Sequence, residues 1–120
     1  MFKKFALAMI LASVAAPAMA QGACTAPAPP AAVDGAKVTI DQLRAAINDA
    51  KAFIAASDTY QTCVGNDITA QKAAATKEKP FDGAIEAAAM AKVNDNQSQK
   101  QKVGDAINGA IGAYKKAHPS

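Results

Sequence analysis

From residue 39 onward the apolar positions fall into two long helical stripes, whereas the residues before them carry no such rhythm. Ile40, Leu43, Ile47, Ala50, Ile54, Ser57, Val64 and Ile68 follow one another in steps of three and four around a polar step at Gln61. That is the spacing of one helix face. Phe53 and Tyr60 widen it. Thr39 followed three residues on by Gln42 forms a capping box, and Asp41 stands where the helix dipole favours negative charge, so the first helix is predicted to start there. Gly65-Asn66-Asp67 is the weak point of the run. Because the stripe resumes at Ile68, the helix is predicted to continue to about Lys77.

Pro80 marks a turn and Asp82 a second cap, opening a helix predicted to reach about Lys116. Its stripe is Ile85, Ala89, Val93, Asn96, Val103, Ile107, Ala110, Ile111 and Tyr114. Residues 94–102 contain almost nothing apolar, which leaves two outcomes open: a solvated face with a polar layer, or a break into two helices. Gly104, Gly109 and Gly112 each lower helix propensity by up to about 1 kcal/mol relative to alanine, and two readings stand equally: they let a neighbouring helix come close, or they simply weaken the helix. Lys115, Lys116 and His118 suit the negative end of the dipole, and Pro119 ends the helix.

The remainder divides in two. Residues 21–38 are rich in Ala, Pro and Gly, and Pro27, Pro29 and Pro30 favour an extended polyproline path. Residues 1–20 read as a cleavable secretory signal: Lys3 and Lys4, an apolar run from Phe5 to Ala16, then Ala18-Met19-Ala20 as a small-x-small cleavage site. The apolar run is too short for a membrane span of roughly 20 residues. Cys24 does not follow the cleavage site directly, which argues against a lipid anchor. The expected organisation is a signal peptide (1–20), an extended segment (21–38) and a helical hairpin domain (39–120).

Cleavage after Ala20 changes the charge. Of 13 basic residues, 11 remain against 10 acidic ones, a balance of about +1 with signs alternating along the chain, so nucleic acid is not an expected partner. The candidate core is thin. It comprises Ile40, Leu43, Ile47, Phe53, Ile54, Tyr60, Val64, Ile68, Phe81, Ile85, Val93, Val103, Ile107, Ile111 and Tyr114 among many alanines, with no tryptophan. A domain built this way benefits from a covalent staple.

Cys24 and Cys63, the only cysteines, read as a disulfide in an exported chain. Cys63 lies about 36 Å along a helix that starts at Thr39, and the segment from Cys24 to Thr39 spans about 46 Å in a polyproline conformation. The segment therefore reaches, running back nearly extended along the helix. The closed loop of about 40 residues is worth roughly 4 kcal/mol in the chain-entropy model. A redox site is disfavoured because there is no Cys-x-x-Cys, and a zinc site because two cysteines and one histidine fall short of four ligands.

Catalytic chemistry finds no constellation. His118 sits two residues from the end, Ser57 has no histidine neighbour in sequence, and Asp49, Asp58, Glu78, Glu86 and Asp105 are dispersed. Asn66 and Asp67 lack the remaining ligands of a calcium loop. Asn96-Gln97-Ser98 matches the glycosylation sequon. No enzyme, cofactor or metal is expected.

The early cysteine, the Pro-rich segment, Tyr60-x-x-Cys63, and a closing helix with Ile107-Asn108 and Tyr114-Lys115 together resemble a group of small uncharacterised periplasmic helical proteins of Gram-negative bacteria. The resemblance implies a disulfide-linked helical hairpin exported to the periplasm and supplies no activity. The expected fold is all-α, an antiparallel hairpin of two long helices, or three if the second is broken, with the extended segment strapped on by the disulfide. The expected function is a structural or protein-interaction module, binding an unknown protein or a second copy of itself, with no membrane anchor after cleavage. Its expected interaction face is Ile40, Leu43, Ile47, Ile54, Tyr60, Val64, Ile107, Ile111 and Tyr114. The alternative is a binder of lipid or of a hydrophobic small molecule in the cell envelope.

Overall fold

A computed structural model describes residues 24–119, so the predicted signal peptide and its cleavage site lie outside the described residues. Two α-helices, α1 (Ile40–Ala74) and α2 (Gly83–Ala117), pack as an antiparallel hairpin, and no strand occurs among the described residues. At the start of α1 the Thr39 hydroxyl accepts from the Gln42 N–H at 3.2 Å, and the Gln42 side chain accepts from the Thr39 N–H at 2.9 Å. Two of the helix's first free donors are thereby satisfied. Asp82 caps α2 through the Ala84 N–H at 2.9 Å.

α1 runs unbroken through Gly65 but stops at Ala74, short of the predicted Lys77. The reason is local. The Thr76 N–H donates to the Lys79 carbonyl at 3.0 Å, and the Thr76 hydroxyl accepts from the Lys79 N–H at 3.0 Å. This reciprocal turn competes with further helix, and Pro80 follows it. Lys72 then closes the loop end, pairing with Glu86 at 2.8 Å and standing 5.5 Å above the Phe81 ring.

α2 is continuous across residues 94–102, so the possible break does not occur. What spans that stretch is a polar layer. Ser57 is wholly buried and Asn96 is 2% exposed; the Asn96 amide donates to the Ser57 hydroxyl at 3.1 Å and accepts from Gln61 at 2.9 Å. Gln61 also donates to Gln97 at 3.2 Å. Apolar clusters lie on either side: Tyr60, Val64, Ile68 and Ala89 towards the loop, Ala50, Phe53 and Val103 towards the open end. The polar step in each stripe thus meets its counterpart, and no buried side-chain polar atom among the described residues lacks a partner.

Candidate functional site

The segment before α1 is a strap. Cys24, Pro27, Pro30 and Val33 are half-buried while the residues between them are exposed. That repeat of three matches the turn of a polyproline II helix, about three residues, so one edge of the strap lies against the hairpin. Cys24 is bonded to Cys63, with Cα atoms 5.7 Å apart across 39 positions of sequence. The strap runs antiparallel to α1 and alongside α2: Cys24 stands near Tyr60, Ala89 and Lys92, Pro29 near Gln99, and Gly35 against Ala110.

At its far end the strap must reverse to enter α1, and it does so earlier than predicted. Asp34 accepts from the Ala36 N–H with its carboxylate at 3.0 Å, and from Lys37 and Val38 with its carbonyl at 3.0 and 3.2 Å. Residues 35–37 are therefore a turn and not part of the extended run. Gly35 is buried, and a Cβ placed on it would stand 1.8 Å from the Ala110 carbonyl oxygen. Strap backbone and helix backbone touch here, which only glycine permits. By contrast, a Cβ on Gly104, Gly109 or Gly112 would meet nothing within 4 Å, so of the two readings of those three glycines close approach is overturned and simple weakening of the helix is left.

Between its two attachments the strap crosses small side chains. Residues 29–33 pass over Ala46, Ala50 and Ala106, leaving an open-sided hollow of about 270 Å³ whose walls also include Val103 and Ile107. Gln99 and Lys102 stand at its rim.

On the other side of the helix seam, the groove between α1 and α2 carries no strap among the described residues. Gln61, Gly65, Ile68 and Thr69 of α1 line it with Glu86, Met90 and Val93 of α2. Met90 is 49% exposed. The Asp58–Lys100 ion pair bridges the two helices.

The residues expected to form an interaction face are divided by the fold. Leu43, Tyr60 and Val64 are buried; Ile47, Ile54, Ile107, Ile111 and Tyr114 are half-buried; Ile40 is 41% exposed and stands outside the core in which it was expected. Met90 was missed, although Glu86, Met90, Val93 and Gln97 recur in steps of four, three and four.

The residues weighed for catalysis also have definite surroundings. The exposed His118 ring stacks on Tyr114 with centroids 4.1 Å apart, and its Nδ1 lies 3.1 Å from the Tyr114 carbonyl oxygen. Ser57 hydrogen-bonds Asn96. Burial of Asn96 also withdraws the Asn96-Gln97-Ser98 sequon from any enzyme acting on the folded chain. Among the described residues no group of three or more His, Cys, Asp or Glu side chains is placed to hold a metal ion, and no helix is long and apolar enough to cross a membrane.

Fold and site together define a disulfide-strapped, all-helical hairpin. No protein-family model, curated protein or solved structure matches the chain.

Proposed function

We propose that this chain is an exported, non-enzymatic helical module of the periplasm that works by binding a protein, either a partner or a second copy of itself. The observation that carries this reading is the unstrapped groove, where Met90 and its neighbours leave apolar surface uncovered while the opposite groove has its own lid. The disulfide fits an oxidising compartment, as does the Lys3-Lys4 start and Ala18-Met19-Ala20 motif of the sequence. Light scattering against concentration, together with capture from periplasmic extract, tests it. The mature chain is expected to associate, and Met90→Lys to abolish that association. A strictly monomeric chain that captures nothing would refute the reading.

A second reading is a binder of hydrophobic small molecules, and the specific support for it is the hollow beneath the strap.

A further inference from the structure

Taking that second reading as its basis, we propose that the hollow beneath the strap is a site for a single-chain amphiphile with an acidic head, a free fatty acid, its chain lying under residues 29–33 and its carboxylate on Lys102. The strap is held at both ends of the hollow, by the Cys24–Cys63 bond and by the seat of Gly35 on Ala110, and between them it crosses alanines too small to fill the space below it.

Three properties select the occupant. The walls are apolar, with Pro30, Val33, Ala46, Ala106 and Ile107 offering no side-chain partner to ordered water, and at about 270 Å³ the space exceeds the engineered apolar cavity of roughly 150 Å³ that admits benzene. The shape is long. From Gln99 to Ile107 the α2 wall runs about 12 Å at 1.5 Å per residue, and the strap segment 29–33 covers about the same length at 3.1 Å per residue. A hydrocarbon chain fits such a slot better than a fused ring does.

The third property is charge. Lys102 is the one charged residue lining the hollow, it is exposed, and it makes no ion pair among the described residues. Gln99 beside it donates one amide N–H to the Asp95 carboxylate at 3.2 Å and is neutral, so Lys102 supplies the full positive charge at the hollow. An anionic head at the rim completes that charge, whereas a neutral head leaves it as it is and a cationic one meets repulsion.

Isothermal titration of the disulfide-bonded mature chain with decanoate, and separately with decanol, tests this. Decanoate is expected to bind at one site and decanol more weakly. Lys102→Gln should weaken decanoate about 1.5- to fivefold, the range of an exposed ion pair, without altering decanol, while Lys116→Gln at the far end of α2 should change neither. Ala46→Leu and Ala106→Leu, each filling the hollow from a different wall, should each cost more than tenfold for both ligands, with unchanged circular dichroism marking the variants that fold. Equal affinity for the two ligands and indifference to Lys102→Gln would overturn the acidic-head assignment and leave the second reading standing. Binding of neither would overturn both, and binding that survives both filling variants would place the ligand elsewhere.

Discussion

Replacing Gly35 with alanine inserts one methyl group between two backbones. Its Cβ would fall 1.8 Å from the carbonyl oxygen, 2.6 Å from the carbonyl carbon and 2.8 Å from the Cα of Ala110. A carbon-to-oxygen approach settles at about 3.3 Å or more, so the two chains must part by about 1.5 Å. Ala110 belongs to the hydrogen-bonded interior of α2 and cannot swing aside as a side chain would. The strap yields instead, lifting Val33 from its half-buried seat. Overpacking of this kind costs about 1–3 kcal/mol, partly offset by the roughly 0.4–1 kcal/mol that losing glycine gains through the unfolded chain. A net destabilisation of about 1–2 kcal/mol is expected.

The same chemical change at Gly109 has the opposite sign. Nothing lies within 4 Å of its added Cβ, so Gly109→Ala should stabilise by about 0.8–1 kcal/mol through helix propensity alone. No glycine among the described residues has a positive φ, which removes backbone strain as a competing cause at either site. Urea unfolding of the oxidised chain of residues 21–120, followed by circular dichroism, gives both values, with unchanged m confirming that midpoints report stability. Limited proteolysis adds an independent readout, since a lifted strap remains tethered at Cys24 yet becomes open to cleavage. Equal stabilities for Gly35→Ala and the parent chain, or a loss of similar size for Gly109→Ala, would refute the account of where the strap rests.

Reduction of the disulfide, or Cys24→Ser with Cys63→Ser, should lower stability by about 4 kcal/mol for a loop closed across 39 positions, read as a fall in the urea midpoint that reductant does not deepen in the double variant. Asn96→Leu should cost about 1–3 kcal/mol by leaving the buried Ser57 hydroxyl without its partner, while the Gln61 amide keeps Gln97, and adding Ser57→Ala should recover part of that loss in a double-mutant cycle. Additive losses would mean that the pair does not act as a unit. Thr39→Ala removes one half of the capping box and should cost about 1 kcal/mol, whereas Arg44→Ala, which removes only an exposed ion pair with Asp41, should change the midpoint little.

The parts of this fold legible in the sequence were those that repeat or that act within a few residues. Thr39 with Gln42, the step of three and four through Ile68, and the cap at Asp82 each state their role locally, and the hairpin follows from them. Helix continuity through residues 94–102 was not legible, because it depends on Asn96 meeting Ser57 and Gln61 from 39 and 35 positions away. The glycines show the same division. Gly104, Gly109 and Gly112 stood out by their spacing on α2, yet the glycine that the packing requires is Gly35, in a segment with no periodicity of its own except the period of three that the hairpin beneath it reveals. Ile40 is in register with the stripe yet 41% exposed, because it is the first residue of α1 and register alone does not bury a helix end. For the candidate site, the cysteine pair was legible from number and reach; the hollow was not, since alanines at 46, 50 and 106 signal absence of volume only once the strap is laid over them.

The strap also resolves a difficulty in the core. Two helices meeting along one seam bury little when many of the seam residues are alanine, and here a polar layer further divides the apolar contacts into two clusters. A third helix laid in the groove would bury more, but it would need a long connection back to the start of α1. A polyproline segment presents one residue in three to the groove, has no internal hydrogen bonds to satisfy, and covers the same length of helix with about half as many residues. Its weakness is that so narrow a contact holds poorly by itself. The Cys24–Cys63 bond addresses that weakness, since it keeps the strap at the groove whatever the local packing is worth. Against a total stability of about 5–15 kcal/mol for a typical domain, roughly 4 kcal/mol from the bond is a large share. A chain held reduced should therefore lose the strap before it loses the hairpin, with helical circular dichroism persisting after residues 24–33 have become sensitive to protease.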